Sequence, residues 1–315
     1  MAKAKILVTG AAGFIGSSIV AKLSAEGAKV VALDGLLGGL YPEQEKRVRF
    51  QAISSLPGVE TFQLDLRTDD LGQLPADITH VINEAAMPGL GLSWSNFELY
   101  SSCNLSATAR LLEVSRGWDI ERFVQISTSS VYGTTAVGDE SLETAPVSPY
   151  GATKLAAEHL ALAHWRDSGI PVTILRYFSV YGPGQRPDMA YRKFISRALA
   201  GESIDLYGSG EQSRSNTYID DCVAVTISAM HNSQPGEIYN IAGATERSLN
   251  EALAIIENHT GRKININELP QARGDQQRTF GDSTKARKTL GFEHSVSLEE
   301  GLGHQIEWQR SNGLF

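Results

Sequence analysis

Short apolar segments rich in β-branched residues alternate with longer segments of helical periodicity through the first half of the chain. The predicted buried strands are Ile6–Val8, Val30–Leu33, Thr61–Leu64, Val81–Ile82, Phe123–Ile126 and Val172–Leu175. The predicted helices between them include Ile15–Glu26, Leu105–Arg116 and Tyr150–Ser168. This alternation predicts an α/β fold with a doubly wound parallel sheet and helices on both of its faces.

The pattern changes after Arg176, where the Gly- and Pro-rich segment 182–187 predicts a loop. The later predicted elements are helices at Met189–Leu199, Leu249–Thr260 and Leu298–Gln309, a hairpin around Gly208–Gly210, and mixed strand and helix signals at Ile219–Met230 and Ile238–Ile241. We expect residues 1–177 plus about 216–242 to form the sheet domain. A smaller C-terminal α+β lobe that binds substrate should be formed by residues from about 178 to 215 together with residues 243–315.

Composition narrows the class of protein. The 315 residues are 42% hydrophobic and 20% charged, as in soluble globular proteins, and the net charge of −8 argues against a nucleic-acid-binding surface. The two cysteines, Cys103 and Cys222, lack metal-ligand spacing, so neither a metal site nor a disulfide framework is predicted. No segment resembles a signal peptide or a membrane span, and we expect a cytoplasmic protein.

A glycine-rich turn, Thr9–Gly16, follows the first predicted strand and opens the first predicted helix. In a dinucleotide-binding (Rossmann) fold, Gly10 would permit the tight turn, Gly13 the close approach of pyrophosphate, and Gly16 helix–strand packing. The phosphates would meet the free N–H groups at the helix start, near Phe14 and Ile15. Glycines alone also occur in ordinary packing turns, so the motif needs support from a second position.

Asp34, at the end of the second predicted strand, supplies that support. A carboxylate there accepts hydrogen bonds from the ribose 2′-hydroxyl of NAD and repels the 2′-phosphate of NADP, and no arginine follows it. The sequence therefore predicts NAD as the cofactor. Asp65 and Leu66 follow the third strand and are expected near the adenine, whereas the small residues Ala85 and Ala86 would admit the dinucleotide at the fourth.

Tyr150 and Lys154 are spaced so that both lie on one face of a helix. A tyrosine is a base near neutral pH only if a positive charge stabilises its phenolate, and Lys154 provides that charge. The spacing alone also fits an ordinary amphipathic helix. However, Ser127–Ser130 places four hydroxyls at the carboxyl end of the fifth strand, the edge where doubly wound sheets bind ligands. A hydroxyl there can relay a proton between substrate and Tyr150.

The ordered set of these motifs resembles the NAD-dependent nucleotide-sugar epimerase/dehydratase family of extended short-chain dehydrogenases/reductases, over essentially the whole chain. Within it, the sequence is most similar to UDP-glucuronic acid 4-epimerases. That similarity rests on four segments: Ala86–Gly89 with Ser93-Trp94, Ser127–Gly133, Ser148–Gly151, and above all Arg176–Met189, which reads RYFSVYGPGQRPDM.

The resemblance implies roles for individual residues. Tyr150 would remove the proton of the sugar 4-hydroxyl while hydride passes to NAD, with Lys154 as its charge partner and Thr128 as the proton shuttle. Ser129 and Ser130 stand where dehydratases carry Asp-Glu, so epimerisation is favoured over loss of water or carbon dioxide. The further implied contacts are Tyr177 with the cofactor; Thr128, Ser129, Ser130, Ser179 and Arg186 with the sugar carboxylate; and Lys193, Arg214, Arg273 and Asp275 with the rest of the substrate.

Three departures from the family pattern leave the substrate open. Ser215-Asn216 replaces Asp-Phe, Asn83-Glu84 replaces His-Leu, and Leu90–Leu92 lacks a basic residue. The alternatives are a UDP-glucose/UDP-galactose 4-epimerase, another NDP-sugar epimerase of a specialised pathway, and, as a different class, a non-catalytic NAD-sensing regulator. Helices equivalent to Leu105–Arg116 and Tyr150–Ser168 pair in dimeric relatives, so we expect a homodimer.

Overall fold

The computed structural model describes residues 4–271 and 274–315. In chain order, the strands are Lys5–Thr9 (β1), Lys29–Leu33 (β2), Val59–Phe62 (β3), His80–Asn83 (β4), Arg122–Thr128 (β5), Thr135–Gly138 (β6), Val172–Tyr177 (β7), Val180–Tyr181 (β8), Ile204–Tyr207 (β9), Ser213–Ser215 (β10), Thr217–Tyr218 (β11), Ile238–Ile241 (β12), Glu246–Ser248 (β13), Ile266–Leu269 (β14) and Arg278–Gly281 (β15).

The helices, in the same order, are Phe14–Ala25 (α1), Glu43–Ser54 (α2), Leu90–Ser95 (α3), Phe97–Ser101 (α4), Ala107–Ser115 (α5), Pro149–Ser168 (α6), Ala190–Ala200 (α7), Ile219–Asn232 (α8), Leu249–Thr260 (α9), Thr284–Leu290 (α10) and Leu298–Ser311 (α11). A π-helical turn at Ser102–Ser106 joins α4 to α5, so the predicted helix Leu105–Arg116 is the last part of a longer helical segment. The sequence did not predict α2.

Seven strands form the main sheet in the order β12-β7-β5-β4-β1-β2-β3. Every neighbouring pair is parallel. This arrangement confirms the predicted doubly wound α/β fold. The strand order reverses direction between β1 and β4, and a cleft for ligands opens at the carboxyl ends of the strands at such a point.

Alternate residues of the central strands face two different apolar layers, one on each side of the sheet. Val8, Val30 and Val124 belong to one layer, whereas their neighbours Leu7 and Val31 belong to the other. Side chains of adjacent strand residues point to opposite faces, and a strand buried on both faces therefore needs a continuous apolar run. Fully burying each such side chain contributes about 1.5–3 kcal/mol, which holds the carboxyl ends of these strands at fixed positions.

The later segments form small sheets beside the cleft. One has the order β13-β10-β15-β6, and two-stranded sheets pair β11 with β8 and β14 with β9. The hairpin predicted around Gly208–Gly210 is wrong: β9 before this turn pairs with β14, whereas β10 after it pairs with β13 and β15. The strand β6 comes from the first half of the chain but joins this second group of strands.

Two other features are absent from the described residues. No helix in residues 4–271 and 274–315 combines the length and apolar character needed to cross a membrane. Within the same ranges, no three His, Cys, Asp or Glu side chains are grouped so that they could hold a metal ion. Cys103 and Cys222 are both buried free thiols.

Candidate active site

The structure brings most of the predicted site residues together in one cleft at the carboxyl ends of the central strands. Its wall contains Gly10, Gly13, Phe14, Ile15, Gly16, Asp34, Ala86, Thr128, Ser129, Ser130, Tyr150, Lys154, Tyr177, Ser179, Arg186, Arg214 and Asp275. Asp65, Leu66 and Ala85 line an adjoining pocket that shares Asp34 and Ala86. Lys193 instead lines a neighbouring pocket, together with Asp275. Arg273 lies outside the described residues.

The turn between β1 and α1 has the backbone that a dinucleotide requires. Gly10 has φ +66°, a left-handed conformation. A Cβ at Gly16 would lie 2.2 Å from the Gly10 carbonyl oxygen, so only glycine allows the helix this close to the turn. Gly13 occupies the N-cap position of α1 and has no side chain that could bond to the helix start. The N–H groups of the first turn therefore remain available to an anion. This turn fits the pyrophosphate of NAD.

We expect Gly16→Ala to weaken NAD binding at least about tenfold in Kd, equivalent to about 1.4 kcal/mol, and thereby to lower the NAD content of the purified protein. The added methyl group must push Gly10 away from the helix start and distort the phosphate-binding turn. The absorbance spectrum of the purified protein measures its NAD content. Gly117→Ala is the matched control, because its Cβ would meet only an ordinary contact 3.5 Å away. Full NAD content in Gly16→Ala would contradict this account of the turn.

Asp34 is fixed at the end of β2 by two backbone groups. Its carboxylate accepts hydrogen bonds from the N–H of Ala12 at 3.0 Å and from the N–H of Leu36 at 2.7 Å. Burial raises the pKa of Asp34, whereas Lys46 and the two N–H groups lower it. Lys46 comes from α2 and also lines the cleft. Sequence analysis missed Lys46, because α2 itself was not predicted.

The first turn of α6 carries Tyr150 toward the end of β5. Ser148 caps the helix by accepting a hydrogen bond from Gly151 N–H at 3.1 Å, and Pro149 begins it. A Cβ at Gly151 would lie 2.6 Å from the Ser130 carbonyl oxygen. Glycine at this position therefore lets the helix that bears Tyr150 approach the strand end that bears Thr128.

Tyr150 and Thr128 are hydrogen-bonded across this contact, and Lys154 lines the same cleft. Burial raises the pKa of Tyr150, a hydrogen bond from Thr128 and the charge of Arg186 lower it, and the charge of Glu84 raises it by a smaller amount. The Thr128 hydroxyl oxygen also accepts a hydrogen bond from Ser130 N–H at 3.2 Å, so its own proton remains available for Tyr150. Lys154 is 3% exposed, and burial lowers its pKa. The arrangement suits proton transfer between Tyr150 and a bound hydroxyl.

Gln276 fixes the segment that carries the two serines, and sequence analysis missed it. The Ser129 hydroxyl donates a hydrogen bond to Gln276 Oε1 at 3.2 Å. The Gln276 amide donates in turn to the carbonyl oxygens of Ser129 at 3.2 Å and Gly133 at 2.7 Å. Nothing in the sequence around Gln276 marks it, because its partners lie more than a hundred positions earlier in the chain.

Two of the three arginines predicted to bind the substrate, Arg186 and Arg214, are each paired with a carboxylate. Arg186 donates two hydrogen bonds to Asp188, at 2.9 and 2.8 Å, and Arg214 donates to Asp275 at 3.0 Å. Tyr177 lines the cleft, but its hydroxyl is bonded to Thr226 Oγ1 at 2.6 Å, which leaves its ring and backbone for contact with a ligand. Asp65 is similarly engaged by Arg67, whose guanidinium lowers the pKa of Asp65.

Comparison with known proteins agrees with this geometry. Residues 6–242 match the family described as "NAD dependent epimerase/dehydratase family". The Bacillus subtilis (strain 168) protein named uncharacterized UDP-glucose epimerase YtcB is 37% identical, with 98% of each chain covered. The UDP-glucuronate 4-epimerase of Thermodesulfobacterium geofontis (strain OPF15) is 34% identical, with 97% of this chain and 96% of that protein covered.

A solved structure is similarly close. The UDP-glucuronic acid 4-epimerase of Bacillus cereus, in complex with UDP-glucuronic acid and NAD, superimposes with a TM-score of 0.94. The two chains are 37% identical, and the match covers 98% of this chain and 99% of that one. The glycine-rich turn, the paired Tyr150 and Lys154, and these matches lead to one assignment: the chain belongs to the NAD-dependent epimerase/dehydratase family.

Proposed function

We propose that this protein is an NAD-dependent 4-epimerase of a UDP-sugar, with the UDP-glucuronate/UDP-galacturonate pair as its substrates. One observation carries the proposal: a single wall of the cleft presents Tyr150, Lys154 and Thr128 for redox chemistry at a sugar hydroxyl, next to Ser129, Ser130 and Arg186 for a carboxylate. The retained Tyr150 and Lys154 argue against the alternative of a non-catalytic NAD-sensing regulator.

The residues of the chain fit NAD. The turn at Gly10–Gly16 would hold the pyrophosphate, Asp34 the adenosine ribose, and the pocket with Asp65, Leu66 and Ala85 the adenine. Lys154 and Tyr177 line the same cleft, and we propose that the nicotinamide half lies beside them. Bound there, NAD would supply reversible hydride transfer at C4 of the sugar and the positive charge of its oxidised nicotinamide ring.

Tyr150 is the base that removes the proton of the sugar 4-hydroxyl, and the acid that gives it back. The Thr128 hydroxyl, at the end of β5, is hydrogen-bonded to the phenol of Tyr150. It can therefore pass this proton or stabilise the phenolate by hydrogen bonding. Lys154 supplies positive charge from the same helix face. Ser129 and Ser130 replace the carboxylates that elimination of water would need, so the oxidised sugar is retained for reduction.

The uronate carboxylate would be held by hydroxyls of Thr128, Ser129, Ser130 and Ser179 and by Arg186. Arg186 is already bonded to Asp188, and a substrate carboxylate would share or replace that partner. The uridine diphosphate would reach Arg214 and Asp275, and we propose that Arg273 and Lys193 complete its site. A neutral UDP-glucose/UDP-galactose pair is the second candidate, because the carboxylate of Asp188 already satisfies Arg186 without a uronate.

Incubation of the NAD-loaded protein with four sugar nucleotides tests the function. We expect UDP-glucuronate and UDP-galacturonate to interconvert, with slower turnover of UDP-glucose and UDP-galactose; chromatography separates the epimers. Turnover of UDP-glucose and UDP-galactose alone would show that this neutral pair is the substrate pair. A pentose as the main product from UDP-glucuronate would contradict epimerisation, and absence of turnover with all four would contradict the proposed substrates.

We expect Arg186→Gln to raise KM for UDP-glucuronate about 10- to 100-fold, because loss of a charge-assisted hydrogen bond costs about 1.5–3 kcal/mol. KM for UDP-glucose should change much less, since no carboxylate is bound. Initial rates with the two substrates measure this difference. Asp188→Asn is the companion variant: it frees Arg186 from its present partner and should not raise KM for the uronate. Equal increases in KM for both substrates would contradict the assigned role.

We further propose a cytoplasmic homodimer in which α6 and the α4–α5 segment of two subunits meet. Ala152 and Ala163 on α6 face outward as small residues, and Phe97 at the start of α4 is 55% exposed. Small residues permit close helix packing, and an exposed aromatic residue gains most from being covered. Light scattering of the NAD-loaded protein gives the molar mass that tests this proposal.

A further inference from the structure

Glu84 places a carboxyl group in the wall of the cleft, immediately after β4. Its Oε2 atom is buried and makes no hydrogen bond with any described residue. The neighbouring Asn83 is fully engaged by contrast: it accepts a hydrogen bond from the Thr9 hydroxyl at 2.7 Å and donates one to Gln125 at 2.8 Å. Asn83 therefore has a structural role, whereas the Glu84 carboxyl group is left for a partner in the cleft.

Titratable groups from several elements interact electrostatically with Glu84. Lys154 and Tyr150 face it from α6, Tyr177 from β7, Cys222 from α8, and Arg186 from the loop after β8. Lys154 and Arg186 are the cations of this group, and Arg186 already forms an ion pair with Asp188. Glu84 is therefore available to balance the charge of Lys154.

The second carboxylate near Lys154, that of Glu158, is already paired with an arginine. Glu158 lies one turn further along α6 and binds Arg176 through both of its oxygens, at 3.0 and 2.7 Å. Both carboxylates raise the pKa of Lys154, and Glu84 contributes more than the arginine-paired Glu158 does. An unpaired ammonium as deeply buried as Lys154 would lose its proton near neutral pH, so its charge depends on Glu84.

We propose that Glu84 is a positioning residue of the reaction, the counter-ion that keeps Lys154 in the ammonium form beside Tyr150. The proposal rests on the proposed function only in giving Lys154 a role in catalysis. Burial raises the pKa of the Glu84 carboxyl and lowers the pKa of the Lys154 ammonium, and each charge opposes the shift of the other. Loss of either charge therefore makes the other charge harder to keep in the buried site.

The expected effect of removing the carboxylate has a definite sign. Glu84 raises the pKa of Lys154, so Glu84→Gln lowers it and Lys154 becomes neutral at a lower pH. Since Tyr150 needs the ammonium, the alkaline limb of kcat/KM should move to lower pH by at least about one unit, a tenfold change in the protonation equilibrium. Side-chain packing alone would lower the rate without moving this limb.

The direct test measures Lys154 in the NAD-loaded protein without any sugar nucleotide. NMR of protein labelled with 15N in lysine follows the Nζ signal of Lys154 through a pH titration, and Lys154→Arg assigns the signal. We expect the midpoint to fall by at least about one unit in Glu84→Gln. Glu121→Gln is the matched control: its carboxyl is 69% exposed, near His80 at the amino end of the same sheet, and should leave the midpoint unchanged.

An unchanged or raised midpoint in Glu84→Gln would overturn the proposal. Should that variant fail to fold, the wild-type protein provides a second measurement, in which 13C-labelled glutamate reports the Glu84 carboxyl signal. A Glu84 carboxyl that is ionised over the pH range in which Lys154 keeps its proton supports the proposal; a Glu84 carboxyl that is protonated while Lys154 is charged overturns it. Because neither measurement uses a sugar nucleotide, a wrong substrate assignment would not affect them.

Discussion

We expect Tyr150→Phe to lower kcat for UDP-sugar epimerisation by about 10³-fold or more, with little change in NAD content. The substitution removes the phenolic oxygen that takes the sugar proton, and general acid–base catalysis contributes about 10²–10⁴-fold in rate. The ring itself should stay in place, because it packs edge-on against Tyr100 with ring centres 6.3 Å apart. Steady-state kinetics and the absorbance spectrum of the purified variant provide the two measurements.

The matched control for this prediction is Tyr239→Phe, on β12. Its hydroxyl accepts a hydrogen bond from Gln234 N–H at 3.2 Å, and it lies away from the cleft, so its removal should leave kcat unchanged. Turnover in Tyr150→Phe within tenfold of wild type would show that another group carries the proton. The non-catalytic alternative would then regain support.

Sequence patterns predicted the parts of the site that depend on local structure. The turn before α1 and the start of α6 are each specified by residues within a few positions, such as Gly10 with Gly16 and Ser148 with Gly151. Apolar runs located the central strands, although β3 begins two residues earlier than predicted. These features follow from hydrophobic burial and helix capping, which operate over short distances in sequence.

Features that depend on distant partners were not predicted. Only Ile53 of α2 is buried, so this helix has no apolar stripe to reveal it. Its stability comes from contacts with remote residues: Glu45 binds Arg192 at 2.9 and 3.0 Å, and Arg49 donates to the Gly184 carbonyl oxygen at 2.7 Å. Without α2, the presence of Lys46 in the cleft could not be anticipated.

A buried ion pair behind the cleft connects β5, α6 and β7. The Arg176 guanidinium donates to both oxygens of Glu158, and also to the Tyr132 hydroxyl at 2.8 Å. Ser127, next to Thr128, donates a hydrogen bond to the same carboxylate. The side chains of Arg176 and Glu158 are only 4% and 2% exposed. The pair thus joins the strand that bears Thr128 to the helix that bears Lys154.

We expect Glu158→Leu or Arg176→Leu alone to lower the free energy of unfolding by about 3–5 kcal/mol, because each leaves a buried charge without its partner. The double variant, Glu158→Leu with Arg176→Leu, should lose much less than the sum of the two, since neither charge remains. Urea denaturation of the four proteins measures the difference.

The exposed pair Arg247–Glu251 is the matched control for this cycle. Its side chains are 49% and 48% exposed, and its N–O distance is 3.0 Å, similar to that of the buried pair. Water already solvates both charges, so Arg247→Leu should cost less than about 1 kcal/mol; Glu251 is left in place because it also caps α9. Additive losses at Glu158 and Arg176 would mean that the two side chains act independently. In that case, the connection between Thr128 and Lys154 would depend on apolar packing of α6 against the sheet, with Ala157 and Ala161 as its fully buried contacts.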